Sequence, residues 1–374
     1  MLTQAGCQIR QSRFRALLEA RALDAALITD PREIYYLTGL LTPDVLPDPT
    51  ALIMRADGHA FLISNALESE AWVDDRVAYV PHIGGTRNPD RQRQMAALVG
   101  QRCAGERFAR VGWQQEGSDH LLATAFADAT HPDAWVPLDD DIADLERTKD
   151  ADEIECIRLS VACTMAAYDA AQLTIAPRVS ELVVLSAAQR SANLRAGEGV
   201  LHSGDYRAGE SGGPARARQI EADDLYIIDA WSHVHGYWSD LSRTFAVTEA
   251  TPLQREVYSH IADILIEVEG QLGPGLAGTD LWAWIDERIR EHPHLREAGL
   301  GHHAGHGVGL RAHEGPDLNR ERGPELRVGD VVSVEPGSYV PDLRPGFRLE
   351  NMFLITESGC ELLSPYPLSL DRLT

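Results

Sequence analysis

The sequence predicts an α+β protein of two domains, an amino-terminal α/β domain over residues 1–143 and a second domain over residues 144–374. A chain of 374 residues is long enough for about two domains. Strand-like and helix-like segments alternate up to about residue 140, which is typical of an α/β domain. From Asp223 onward, short strand-like segments dominate and two helical segments interrupt them, which indicates an antiparallel sheet flanked by helices.

The elements of the first domain follow from its hydrophobic periodicity. Residues 9–30 begin with helical spacing of apolar positions and end in the strand-like run AALIT. The segments TALIMRA and HAFLIS are joined by Asp57-Gly58, a pair that favours a hairpin turn. We expect helices around Ala96–Leu98 and His120–Ala129, and buried strands at ARVGW and AWVPL.

The second domain begins after an acidic run. The charged stretch that follows Asp139-Asp140-Asp141 is typical of a solvated helix face, and we expect it to open a long helix over residues 150–172 after a linker. Ser180 is a suitable N-cap for the next helix. Further helices are expected at about 252–271 and 279–291. Strands are expected in LYIIDAW, HGYWSDLSRTFAV, VVSVEPGSYV and FRLENMFLITESG.

Composition excludes several classes of function. The net charge of −23 argues against nucleic acid or an anionic membrane as the main partner, because both require basic surface. Lys149 is the only lysine. No window approaches the ~18 consecutive apolar residues of a membrane span, and the first 14 residues lack an apolar signal core, so we expect a cytoplasmic protein. An odd number of cysteines without a close pair argues against a disulfide framework or a structural zinc site.

Four carboxylates interrupt apolar segments of the second domain, namely Asp229, Asp240, Glu335 and Glu350. Each residue alone is more often a cap or an ion-pair partner. Burying an ionised carboxylate costs several kcal/mol unless the charge is paired, so four such groups are difficult to explain as surface. A multivalent cation would hold them ionised, and two ions can share bridging carboxylates.

A histidine-rich segment, GHHAGHGVGLRAHEGP, can supply a nitrogen ligand. It places His302, His303, His306 and His313 within twelve residues. Neutral imidazole is the commonest protein nitrogen ligand, and a second histidine nearby can act as acid, base or oxyanion partner. Together with the four carboxylates, this segment predicts a metal centre.

These segments resemble those of a known family. LYIIDAWSHVHGYWSDLSRTF, HHAGHGVGLRAHEGP, VVSVEPGSY and GFRLENMFLIT are similar to motifs of the pita-bread metallopeptidases, which include aminopeptidase P, prolidase, methionine aminopeptidase and the metal-free creatinases. RALDAALITDPREIYYLTGL resembles the amino-terminal domain of prolidase and creatinase. The resemblance implies a pita-bread catalytic domain that follows a creatinase-type α/β domain.

The resemblance also implies roles for particular residues. Asp240 and Glu350 are expected to bridge two metal ions, Asp229 to bind one ion, and His306 and Glu335 to bind the other. Glu335 would accept the proton of the attacking water. The remaining implied roles belong to His313, which would contact the substrate or the tetrahedral intermediate, and Arg348, which would orient the ligands. Tyr237 and Arg243 are expected to be structural.

The implied activity is dinuclear metal-dependent hydrolysis, with Xaa-Pro dipeptides or short peptides as the expected substrates. Manganese is the expected ion, with zinc, cobalt or iron as alternatives. The family resemblance further implies a homodimer. Metal-free creatinase is disfavoured because all five ligand positions carry ligand-type residues.

One departure from the family keeps other substrates open. The family carries a histidine about seventeen residues before the first metal aspartate, and this chain has Gly212 there. Either another side chain fills that space, such as His202, Tyr206 or Arg207, or the substrate differs. The alternatives are a hydrolase or lyase of a small osmolyte-type substrate, as in ectoine hydrolase or dimethylsulfoniopropionate lyase, and a binding module without catalysis.

Overall fold

The computed structural model describes residues 1–42, 48–65, 70–116 and 119–372. The chain divides into two compact units, Met1–Glu146 and Arg147–Thr374. Among the helices of the described ranges, none combines the length and apolar character that a bilayer crossing requires.

The first unit is built around a mixed sheet. In the described residues this sheet has six strands in the order β4-β3-β2-β1-β7-β8, and the pairs β3–β4, β1–β7 and β7–β8 are parallel. The elements of this unit are α1 (Gln4–Ala20), β1 (Ala25–Ile28), α2 (Pro31–Thr38), β2 (Ala51–Arg55), β3 (Ala60–Ser64), β4 (Asp75–Ala78), β5 (His82–Ile83), β6 (Thr86–Arg87), α3 (Arg91–Arg102), β7 (Arg110–Trp113), α4 (His120–Thr130), β8 (Ala134–Pro137) and α5 (Asp139–Arg147).

The predicted hairpin is present, and one predicted linker is not. β2 and β3 pair antiparallel around Gly58, which has a φ of +102° and donates its N–H to the carbonyl of Arg55. In place of the linker that we expected before the long helix, the chain forms α5, and the acidic run at 139–141 is the first turn of α5. Carboxylates in a first helical turn are favoured by the positive end of the helix dipole, so the acidic run starts a helix there.

In the described residues, the second unit combines long helices with two larger antiparallel sheets and a two-stranded antiparallel sheet formed by β16 and β17. Its elements are α6 (Ala151–Thr174), α7 (Glu181–Ala196), β9 (Leu201–Ala208), β10 (Leu225–Val234), β11 (Tyr237–Trp238), β12 (Leu241–Ala246), α8 (Pro252–Val268), α9 (Gly278–Arg290), β13 (Gly305–Gly307), β14 (Glu314–Leu318), β15 (Val331–Val334), β16 (Gly337–Ser338), a 3₁₀ turn (Pro341–Leu343), β17 (Phe347–Arg348), β18 (Asn351–Thr356) and β19 (Gly359–Leu362).

β10 is the centre of the first of these sheets, since it pairs with β9, β11 and β12. The second sheet has the order β14-β13-β15-β18-β19 in the described residues. A single β-bridge between Ser242 and Glu350 joins β12 to the start of β18. The strands that carry the predicted ligands therefore meet where the two sheets adjoin.

Two buried polar side chains fix that junction. The Tyr168 hydroxyl lies 2.9 Å from the carbonyl oxygen of Ile228 and 2.6 Å from that of Leu241, so it can donate to either. Arg243 is fully buried and donates to the carbonyl of Glu350 at 2.6 Å, among other acceptors. Tyr168 thus holds the backbone beside Asp229 and Asp240, and Arg243 acts structurally.

We expect Tyr168→Phe to lower the free energy of unfolding by about 1–3 kcal/mol, because buried carbonyls lose a donor. Tyr258→Phe is the matched control, since the buried Tyr258 hydroxyl has no hydrogen-bond partner within the described part of the chain and its removal should cost nothing. Urea unfolding of both variants measures the difference. Equal destabilisation by the two substitutions would contradict the role of Tyr168.

Candidate metal centre

The five predicted ligands come from different elements of the second unit. Asp229 lies on β10, Asp240 lies between β11 and β12, and His306 lies on β13. Glu335 directly follows β15, and Glu350 directly precedes β18. Short strands that end at the junction of two sheets therefore bring residues up to 121 positions apart (Asp229 to Glu350) toward one place.

The structure brings all five together in two overlapping groups. Ligand atoms of Asp229, Asp240 and Glu350 lie within 4.8 Å of one another, and so do those of His306, Glu335 and Glu350. His306 Nε2 is 3.8 Å from both Asp240 Oδ2 and Glu335 Oε1. Glu350 belongs to both groups, which is the arrangement that two ions with a shared carboxylate require.

Burial makes this cluster costly without a counter-charge. Burial and, second to it, the charge of Asp229 together raise the pKa of Glu335 to about 8. Burial also raises the pKa values of Asp240 and Glu350 well above the ordinary range, with added repulsion from the neighbouring carboxylates. In the absence of cations these carboxyl groups therefore hold protons near neutral pH.

The donor set fits divalent cations. Glu350 Oε2 is buried and has no hydrogen-bond partner among the described residues, so one lone-pair donor of the cluster is unsatisfied. Burial and the nearby His313 lower the pKa of His306 to about 3, which keeps its imidazole neutral, the form that binds metals. Carboxylates with one imidazole suit manganese and related ions.

Three further histidines border the cluster. The His313 ring stacks on the His306 ring with centroids 3.5 Å apart. His303 Nδ1 lies 3.2 Å from Glu335 Oε1, whereas His302 Nδ1 lies 2.7 Å from the backbone carbonyl of His303. Ring nitrogens of His302 and His303 lie within 4.8 Å of a Glu335 oxygen. Ring nitrogens of His306 and His313 lie within 4.8 Å of an Asp240 oxygen, so all four histidines of the segment border the carboxylates.

A buried ion pair holds the loop that carries His313. The Lys149 ammonium, whose side chain is 1 % exposed, pairs with the carboxylate of Glu314, the residue after His313. The same carboxylate accepts the backbone N–H of Arg311 at 3.1 Å. A Cβ on Gly309 would lie 2.5 Å from Glu314 Oε1, so a glycine is needed there. The only lysine of the chain therefore fixes the position of His313 through its neighbour.

Arg348 joins the cluster to a residue that the sequence analysis did not single out. Arg348 Nη2 lies 2.7 Å from Oδ2 of both Asp229 and Asp205, and Nη1 donates to the Tyr339 hydroxyl at 3.2 Å. These carboxylates raise the pKa of Arg348 despite its burial. Asp205 was missed because the β9 sequence LHSGDYRA lacks the alternation of apolar residues that reveals a strand.

Asp205, rather than any of the three residues we considered, occupies the space beside Gly212. A Cβ on Gly212 would lie 2.4 Å from Asp205 Oδ2. His202 Nε2 lies 2.7 Å from the Tyr206 hydroxyl, and both side chains are buried. Arg207 pairs with Glu210 at 2.6 Å.

Comparisons with known proteins agree with this architecture. Residues 155–357 match the model of metallopeptidase family M24, and residues 10–145 match the creatinase/prolidase N-terminal domain. The chain is 24% identical over 369 residues to the uncharacterized peptidase YqhT of Bacillus subtilis, covering 97% of this chain and 99% of that protein. It is 30% identical over 258 residues to the Xaa-Pro dipeptidase of Pyrococcus furiosus, covering 66% and 71%.

The fold has a solved counterpart. The prolidase from Pyrococcus horikoshii superposes with a TM-score of 0.79 at 22% identity, over 96% of this chain and 99% of that one. Fold and site together define a metal-dependent peptidase with a creatinase-type first domain and a pita-bread second domain. The chain belongs to metallopeptidase family M24. The predicted family, fold class and enzyme class are confirmed.

We expect wild-type protein reconstituted with manganese to hold close to two ions per chain, and Asp240→Asn to lose at least one of them. Asp240 belongs to the group with Asp229 and Glu350 and faces His306, so its loss weakens both halves of the site. Asp263→Asn, on the exposed face of α8, is the control and should leave the metal content unchanged. Elemental analysis after gel filtration measures both. A wild-type protein that never retains metal would reject the centre.

We expect metal-free protein to lose stability as the pH rises from 6.5 to 8. The folded chain keeps the Glu335 proton up to a pKa of about 8, whereas the unfolded chain releases it near 4.5. The folded state thus binds the extra proton in this window, and stability falls with pH. Histidines with lowered pKa values act oppositely but only below about 6.5. Melting temperatures of chelated protein test this, and Glu335→Gln should flatten the slope.

Proposed function

We propose that this chain is a dinuclear metallopeptidase that cleaves the bond preceding proline in dipeptides or short peptides. The observation that carries the proposal is the convergence of five ligand-type side chains, with Glu350 common to both groups. The Xaa-Pro preference is supported by the relative of Pyrococcus furiosus that is named for this activity.

The proposed ligands follow the two overlapping groups. Asp229 would hold one ion, His306 and Glu335 would hold the other, and Asp240 and Glu350 would bridge them. The chemistry that such ions supply is a water of lowered pKa and positive charge beside the developing oxyanion. Manganese is the ion that we propose on the basis of the carboxylate-rich donor set.

Glu335 is the proposed proton carrier. Its carboxylate lies 3.2 Å from His303 Nδ1, at the wall of the cluster formed by the histidine-rich segment. In hydrolysis it would take one proton from the attacking water and deliver that proton to the proline nitrogen as the amide bond breaks. The products are then a free amine and a carboxylic acid, which releases the remaining proton of the water to become a carboxylate, and Glu335 returns to its starting state.

His313 is proposed to stabilise the tetrahedral intermediate. Burial lowers its pKa, so the ring is neutral and can donate one N–H to the substrate oxygen. Stacking on His306 and the Lys149–Glu314 pair keep the ring in place. Arg348 holds the Asp229 carboxylate in the orientation that a ligand needs.

The same arrangement suits a proline amide. The bond before proline has no N–H, so recognition that requires an amide hydrogen fails there. A centre that acts on the carbonyl group has no such requirement. A homodimer and a cytoplasmic location remain predictions drawn from the resemblance and the sequence.

A second candidate function is hydrolysis or elimination on a small osmolyte-type substrate. The observation that favours it is Gly212, where the family carries a histidine, and the carboxylate of Asp205 beside it. A pocket with an aspartate in place of that histidine differs in charge from the pocket that the family resemblance implies. The two candidate functions therefore require a direct comparison.

A substrate panel distinguishes them. We expect manganese-loaded protein to hydrolyse Ala-Pro or Ala-Pro-Ala at least tenfold faster, in kcat/KM, than the same peptides with alanine in place of proline. A chelator should abolish the activity, and added manganese should restore it. Turnover of ectoine or dimethylsulfoniopropionate without turnover of any peptide would overturn the peptidase assignment.

A further inference from the structure

Asp205 and Asp229 share one guanidinium group. The two residues are directly opposite on β9 and β10, and Arg348 Nη2 lies 2.7 Å from Oδ2 of each. Arg348 Nη1 is bound to the Tyr339 hydroxyl. The guanidinium group of Arg348, which lies next to the candidate metal centre, is therefore already bound by side chains of the protein.

Gly212 makes room for this arrangement. A Cβ at position 212 would lie 2.4 Å from Asp205 Oδ2 and 3.7 Å from Arg348 Nη2. The first distance is below any van der Waals contact, so even alanine at this position would displace the Asp205 carboxylate. The side chain of Asp205 is 32 % exposed, whereas that of Arg348 is 14 % exposed, so Asp205 lies on the accessible side of the pair.

Asp205 changes the charge balance of the pocket. Asp205, Asp229, Asp240, Glu335 and Glu350 carry five negative charges when ionised. Two divalent ions and Arg348 would supply five positive charges, so the occupied site is neutral overall. Without Asp205, the same site would have one positive charge in excess, at the position of Arg348.

We infer that Asp205 determines specificity by directing the site away from substrates with a free carboxylate next to the cleaved bond. A free Xaa-Pro dipeptide places its carboxylate one residue from that bond, and the guanidinium of Arg348, which could attract such a charge, is already paired with Asp205. A longer peptide or an amide carries no charge there. The substrate class is therefore a proline peptide with an extended or blocked carboxyl end. This inference rests on the proposed Xaa-Pro peptidase activity.

The test compares alanyl-proline with alanyl-prolinamide, which differ only in the terminal charge. We expect manganese-loaded wild-type protein to favour the amide in kcat/KM. Asp205→Asn has nearly the same shape without the charge and should shift the ratio toward the free acid by about tenfold. Gly212→Ala displaces the Asp205 carboxylate by contact and should shift the ratio in the same direction.

Asp224→Asn is the matched control. Asp224 pairs with Arg218 at 2.6 Å near the opposite end of β10, so its substitution removes an aspartate–arginine pair without touching the pocket. For Asp224→Asn, the ratio of kcat/KM for alanyl-prolinamide to kcat/KM for alanyl-proline should equal that of the wild-type protein. Metal content and melting temperature of each variant show whether the site and fold are retained.

The outcomes separate the possible failures. A wild-type protein that prefers the free acid would overturn the inference. The inference would also be overturned if Asp205→Asn lowered the activity toward the amide and toward the free acid equally, because a purely structural residue gives that result. If neither compound is hydrolysed, the proposed function fails. Calorimetric binding of the two compounds to the metal-loaded protein then still decides the charge preference, with tighter binding of the acid contradicting it.

Discussion

Mutual repulsion among buried carboxylates is the constraint on which the second unit depends. Asp240, Glu335 and Glu350 are each at most 7 % exposed, and their pKa values are raised by burial and by one another. Metal binding reverses this cost, because the ionised form is the ligand form. The fold must nevertheless hold these groups together before a cation arrives, so its backbone has to be fixed independently of the side chains that repel.

Buried polar contacts to the backbone perform that task. The Tyr168 hydroxyl reaches carbonyls adjacent to Asp229 and Asp240, and the Arg243 guanidinium reaches the carbonyl of Glu350. Lys149 acts similarly on the His313 loop through Glu314. None of these three contacts involves a ligand atom. The scaffold therefore fixes the backbone from which the proposed ligand side chains extend. The oxygens and nitrogens of these side chains remain available to a cation.

The four carboxylates that the structure brings together were predictable because each interrupts a run of apolar residues, as Asp229 does in LYIID. Their role as metal ligands stays a prediction. The long helix that begins near residue 150 and the hairpin at Gly58 were also predictable from local patterns. Asp205 was not, because its strand has no apolar alternation and its importance arises only from pairing with β10. The expectation of a linker before the long helix was wrong, because charge alone does not distinguish a linker from a helix start.

Position 212 illustrates why a missing residue cannot be interpreted from its own position. Viewed along the chain, Gly212 is simply the absence of a histidine. In space, it is the gap that allows Asp205 to reach Arg348 from a strand seven residues earlier. Glycine at 212 therefore goes together with a carboxylate, supplied from a different element, where the family resemblance implies an imidazole. Because the fold couples the two positions sterically, a side chain at 212 and the present position of the Asp205 carboxylate exclude each other, so substitution of Gly212 requires the Asp205 carboxylate to move.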